Sequence, residues 1–159
     1  MEKIPSFNID HIILQPGLYL SRTDYVGDRA LYTYDLRFTA PNDEPVMNTA
    51  EIHTIEHIAA TFLRNHPRFK EEVIYFGPMG CRTGFYLIMT DAVVGQDLLD
   101  LVKETFEFTA DFEGDIPGAS PKDCGNYLDQ NLPMAKYQSK RYCQTLSEIE
   151  DLTFAYPEA

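Results

Sequence analysis

Apolar residues in this chain recur at two spacings, and the order in which those spacings alternate limits the fold more than any other feature. In residues 8 to 20 and 29 to 39, Ile, Leu, Tyr, Phe and Thr fall in partly alternating runs, the period of a strand that buries one face. Ser21 to Gly27 between them reads as a loop, and Pro16-Gly17 bends the first run. From Thr49 the period changes: Ile52, Ile55, Ala59, Phe62 and Leu63 stand at three- and four-residue steps, which predicts a helix over 49 to 65. Asn48 and Glu51 have capping-box spacing at its start, and Asn65-His-Pro67 ends it, because the residue before proline disfavours helical geometry. Strand patterns return at 73 to 76 and 84 to 90 around a Gly-Pro-Met-Gly turn, and helical spacing returns over 92 to 108. After Asp111 the chain is irregular through Gly114, Pro117, Gly118 and Pro121, with a last helix expected over 124 to 140. A sheet with helices packed on it follows.

Nothing splits this pattern into two folding units, and 159 residues suffice for one core without disulfides, so residues 1–159 are expected to form a single domain. Thirteen basic against twenty-five acidic residues leave a net charge of −12, a field that repels nucleic-acid backbones and anionic membrane surfaces. The longest apolar run, Phe85 to Met89, is far short of a bilayer span, and Met1 to Pro5 opens no signal-peptide core. A cytoplasmic protein is expected, with no nucleic-acid or membrane partner. Cys81, Cys124 and Cys143 cannot all pair with one another, and a reducing compartment favours thiols as ligands or reactive groups.

The first helix carries His53-Thr-Ile-Glu56-His57. At 100° per residue its two imidazoles lie only ~40° apart on one face, a span that one metal ion can bridge. Chance places two of four histidines at that spacing in about 7% of such chains, and the added Glu56 makes coincidence a poor account. The bland alternative is a solvated face, or imidazoles satisfied by neighbouring hydrogen bonds. Catalysis would need a further ligand and an open position, and Asp123-Cys124-Gly-Asn-Tyr127 offers a thiolate at an expected helix start. Two imidazoles and a thiolate suit zinc or ferrous iron and are poor for calcium or magnesium. A second reactive centre is Pro78-Met-Gly-Cys81-Arg-Thr-Gly84, where Arg82 sets positive charge beside a thiol. Cys143 reads as packing, and His66, next to Pro67, as a surface loop residue.

With His53-Thr-Ile-Glu-His57, Pro78-Met-Gly-Cys-Arg-Thr-Gly-Phe-Tyr86 and Cys124-Gly-Asn-Tyr127 in this order, the chain resembles the S-ribosylhomocysteine lyase (LuxS) family. Ser6-Phe-Asn-Ile-Asp-His11 and Asp35-Leu-Arg-Phe-Thr-Ala-Pro-Asn42 match further family segments, so the likeness covers nearly the whole length. The resemblance implies an α+β homodimer, an antiparallel sheet with helices packed on one face and two active sites at the interface. It implies cleavage of S-ribosylhomocysteine to homocysteine and 4,5-dihydroxy-2,3-pentanedione, the precursor of the autoinducer-2 quorum-sensing signal. Ferrous iron is the implied metal, one per subunit, with zinc or cobalt as substitutes. Carried over by position, His53, His57 and Cys124 bind the metal, and Glu56 and Cys81 form the acid/base pair. Ser6, His11, Arg37 and Arg64 contact the substrate or support the site, with Ser6 and His11 reaching the pocket of the second subunit. One stretch departs from the pattern: Tyr75-Phe-Gly77 stands where many members have an Asp-Ile-Ser-like sequence that holds the homocysteine end.

Two rival readings remain on the residues alone. The inverted His-x-x-Glu-His spacing also occurs in metallopeptidases, which want a carboxylate as third ligand and usually a longer chain. A metal-stabilised interaction domain would close the site with four protein ligands and leave the glycine-flanked Cys81 without a purpose.

Overall fold

The computed structural model describes residues 1–158. Four strands, β1 (Gly17–Val26), β2 (Arg29–Arg37), β3 (Val73–Pro78) and β4 (Gly84–Thr90), form one sheet in the order β1-β2-β4-β3, and every pairing is antiparallel. Three helices complete the fold: α1 (Thr49–Arg64), α2 (Gly95–Ala110) and α3 (Leu132–Ser147). The architecture is α+β, as the family resemblance implied, and the sheet with helices packed on it agrees with the alternation of periods.

Strand alternation sorts side chains cleanly between the two faces. Tyr34 pairs with Leu87 and Leu36 with Phe85, and with Leu18, Phe76 and Met89 these residues enter the core beneath the helices. The aromatic hub of that core is Phe38, stacked on Tyr142 at 4.1 Å and edge-on to Phe85 and Phe106. Their neighbours Asp35, Arg37, Tyr86 and Ile88 occupy the opposite face, against which Ile4, Pro5 and Ser6 line a cavity. Helices therefore cover one face only.

Three boundaries differ from the sequence reading. Residues 8 to 16 form no strand; a 3-10 turn at Pro5–Phe7 and further turns lead directly into β1. Ser21 to Val26 is strand rather than loop, and the hairpin closes on Gly27 and Asp28 alone, with Val26 paired to Arg29. Gly27, at φ 63, occupies the first of two turn positions, where a tight hairpin needs a positive φ. The last helix begins at Leu132 rather than near 124, because Asn131 accepts a hydrogen bond from the Met134 amide and Pro133 fits a first turn. His66 is also corrected: it is buried, with Nε2 2.8 Å from Glu104 and its ring stacked on Phe69.

Candidate metal centre and reactive thiol

α1 builds the first half of the site. Its capping box is present, with Glu51 accepting from the Asn48 amide at 2.7 Å, and this fixes where the helix starts. Ile52, Ile55, Ala59 and Leu63 then turn into the core, leaving His53, Glu56 and His57 half-buried on the flank. The turns between Ile116 and Asn131 wrap this flank, stitched to the helix where Thr54 donates to Gln130 and accepts from the Asn131 amide.

Those turns also settle how the imidazoles point. His53 Nδ1 lies 2.9 Å from the Asp129 carbonyl, and His57 Nδ1 lies 2.6 Å from that of Pro117. A carbonyl only accepts, so each Nδ1 carries the hydrogen and each Nε2 keeps a lone pair. The two Nε2 atoms stand 2.9 Å apart, and Cys124 Sγ is 3.4 Å from that of His53. Two lone pairs and a sulfur aimed at one point repel each other unless a cation sits among them. All three donor atoms lie within 4.8 Å of one another, and the set suits zinc or ferrous iron, not a hard cation. The outer carbonyls fix tautomer and ring orientation, as metal-binding histidines require. The bland alternative for this histidine pair thus leaves its Nε2 atoms without donors. Cys124 itself lies in the turns, not at a helix start, and its sulfur accepts from the Asn126 amide at 3.4 Å.

Gly118 makes the wrapping possible. Its φ of +68 suits glycine, and an added Cβ would stand 3.3 Å from His57 Nδ1.

The second half lies on the helix-free face of the sheet. Cys81 is exposed in the turn from β3 to β4, which the Arg82 amide closes by donating to the Met79 carbonyl. Its sulfur is 3.1 Å from Thr83 Oγ1 and 3.9 Å from Arg37 Nη1, so Arg37 sets positive charge beside the thiol. Arg37 is 2% exposed, donating through Nη1 to Thr83 and through Nη2 to Asp35. Burial is the largest influence and opposes its charge, but Asp35 together with Cys81 and Tyr156 outweighs it, and the guanidinium titrates above its ordinary value. Ser6, His11, Arg37, Cys81 and Tyr86 line one cavity of about 320 Å³. Beside it, the Tyr75 ring folds back over Gly77, where any Cβ would collide with the phenol.

The structure thus brings together two groups and keeps them apart. His53, His57 and Cys124 converge; Ser6, His11, Arg37 and Cys81 share a cavity that none of those three lines. Arg64 joins neither group by contact: it stands seven residues beyond His57 on the same stripe of α1, and its guanidinium donates to the carbonyls of Val73 and Ile74. Cys143 is packing, as expected: burial first, then Glu107 and Asp111, pushes its thiol up to about 11. Sequence reasoning missed Thr83, Asp35 and the two outer carbonyls. Asp35 was within reach, because a two-residue step on a strand puts it on the same face as Arg37.

A sequence model of the family described as S-ribosylhomocysteinase (LuxS) matches residues 4–152. The chain is 56% identical to a protein of Clostridium acetobutylicum named S-ribosylhomocysteine lyase, over 99% of this chain and 100% of that one. It is 58% identical to the protein of that name from Finegoldia magna, over 99% and 100%. A third relative of the same name, from Porphyromonas gingivalis, is 52% identical over 94% of each chain.

Proposed function

The chain belongs to the S-ribosylhomocysteinase (LuxS) family, and on that premise we propose that it is an S-ribosylhomocysteine lyase acting through His53, His57, Cys124, Glu56 and Cys81. It releases homocysteine and 4,5-dihydroxy-2,3-pentanedione, the autoinducer-2 precursor. The observation that carries this reading is the convergence of two hydrogen-free imidazole nitrogens and one sulfur.

A thioether at C5 of a sugar resists direct hydrolysis but leaves readily once a carbonyl stands at C3 and the C4 proton can be removed. The site therefore has to move a carbonyl from C1 to C3. Ferrous iron held by His53, His57 and Cys124, or zinc or cobalt in its place, would supply Lewis-acid polarisation of the sugar oxygens. Glu56 and Cys81 divide the proton transfers. A proton leaves C2 and returns at C1, then one leaves C3 and returns at C2, each time with a hydroxyl proton passing between adjacent oxygens. Removal of the C4 proton finally expels the C5 sulfur as the homocysteine thiolate. Arg37 keeps positive charge beside Cys81 throughout, while Ser6, His11 and Arg64 position the substrate.

Glu56 rides on α1 beside the metal ligands, whereas Cys81 lies on the helix-free face of the sheet. Two chains related by a twofold axis would complete each site, the metal half of one facing the thiol half of the other. A homodimer with two shared sites is the arrangement we infer, each chain a single domain over residues 1–159 and working in the cytoplasm. Among the described residues all three cysteines are free thiols, which supports a reducing compartment, and no helix is long and apolar enough to cross a membrane.

Anaerobic incubation of the ferrous protein with S-ribosylhomocysteine, followed by thiol titration, tests the activity directly. Cys81→Ala and Glu56→Gln should each abolish thiol release with metal content intact; normal turnover in either variant removes that residue from its role. The inverted-motif peptidase is the weaker reading, because the third donor is sulfur rather than a carboxylate.

A further inference from the structure

We propose that Tyr156, in the segment after α3, is a positioning residue for Cys81: its phenol holds the buried Asp35 carboxylate so that Arg37 points at the thiol. This rests on the assignment of Cys81 as the reacting thiol.

The contacts form one chain. Tyr156 donates to Asp35 Oδ2 at 2.7 Å, and Arg37 Nη2 donates to the same oxygen at 2.6 Å. Arg37 Nη1 then reaches Thr83 Oγ1 at 2.7 Å and Cys81 Sγ at 3.9 Å. Asp35 is 0% exposed, and two atoms of the pair are left over: Asp35 Oδ1 and Arg37 Nε have no partner among the described residues. One is an acceptor and the other a donor, so a small rotation of the carboxylate would satisfy both in a two-pronged pairing with Nε and Nη2. That pairing would redirect the guanidinium and withdraw Nη1 from Thr83 and the thiol. By claiming Oδ2, the Tyr156 hydroxyl holds the carboxylate out of it. Burial, then the charge of Asp35, raises the Tyr156 phenol, which keeps it protonated as a donor.

The tail is fastened independently of this bond. Phe154 is buried at φ 54 and edge-on to Tyr34, its carbonyl accepts from the Leu20 amide at 2.7 Å, and the Tyr156 ring stacks on Tyr19 at 4.9 Å. Tyr156→Phe therefore removes the hydrogen bond and keeps the anchor. Tyr156 also lies beyond residues 4–152, the span the family pattern covers.

The test is the pH profile of Cys81 alkylation by iodoacetamide in the metal-loaded full-length protein, read by peptide mass spectrometry to separate Cys81 from Cys124 and Cys143. The groups facing Cys81 are Arg37 from β2, Tyr86 from β4, the adjacent Arg82 and Thr83, and His11 from the N-terminal segment. Those facing Asp35 are Arg37, Tyr156, Tyr19 from β1, Tyr86 and Tyr142 from α3. Profiles are taken with and without His11→Asn, so that imidazole titration is not mistaken for the thiol's.

In Tyr156→Phe the alkylation midpoint should move to higher pH, and the rate at pH 7 should fall about fivefold, the worth of one hydrogen bond in a charged network. The rate of thiol release should fall through kcat rather than KM, with metal content and melting temperature unchanged, because the freed carboxylate finds its other partner. Superimposable profiles for Tyr156→Phe and the parent would overturn the proposal, and so would a shifted profile accompanied by a lower melting temperature. If Cys81→Ala retains turnover, the assignment of the reacting thiol fails instead, and the alkylation profile still reports on the tail.

Discussion

Gly118 carries two constraints at once, a positive φ and a ring of His57 too near for a side chain. Gly118→Ala would press on Nδ1 and loosen its bond to the Pro117 carbonyl, so metal affinity should fall about tenfold, as for other losses around a ligand's outer nitrogen. Competition with a chromophoric chelator measures this. The thiols give a second prediction. The folded protein holds the Cys143 thiol at about 11, above its ordinary 9.0, so this residue favours the folded state at neutral pH and loses that contribution as pH rises past 9. Its alkylation at pH 8 should lag far behind that of exposed Cys81, with the gap narrowing towards pH 11; equal rates at pH 8 would refute it. At this scale legibility followed sequence distance. The spacing of His53 and His57 was readable because the helix period alone sets their angle. Proline beside His66 rightly marked a loop, but gave no sign that the ring is buried, stacked on Phe69 with Nε2 against Glu104 of α2.

The elements were legible where one face is buried and the pattern local. α1 begins at Thr49 as its capping box required, since that signal is complete within four residues. The outer part of β1 was not readable: Ser21 to Val26 is largely polar, and its strand geometry comes from backbone pairing with β2, which side-chain alternation does not report. Residues 8 to 16 show the reverse error, apolar side chains with no partner strand. The start of α3 was marked by Asn131 and Pro133, but an earlier Asp-Cys-Gly-Asn stretch competed for the same role. β4 yields a firm prediction. Gly84 lies opposite Arg37, and a Cβ there would meet the Leu36 carbonyl, a backbone atom that cannot swing aside. Gly84→Ala should cost about 1 to 3 kcal/mol of stability by urea unfolding, the usual range for overpacking. A neutral result would mean that β2 and β4 separate more easily than their register implies.

For the whole molecule, the open question at the level of sequence was which residues meet, and the fold answers it by placing them on two surfaces. No period or motif says that Cys81 will stand on the sheet face opposite α1; that follows only once β2 and β4 are paired and the helices laid on one side. On the proposed twofold arrangement, mixing should restore what neither variant has alone. Subunits of Cys81→Ala exchanged with subunits of His57→Ala should regain about a quarter of the parent activity, since half the dimers are mixed and each holds one intact site. No recovery after verified exchange would place both halves of the site within one chain. The two outer carbonyls carry a different consequence. Pro117 and Asp129 hold the imidazoles from opposite ends of one turn-rich segment, so loosening that segment from α1 would free both rings to turn. If a metal is held there as proposed, its exchange would be tied to excursions of that stretch of polypeptide as well as to the strength of its bonds.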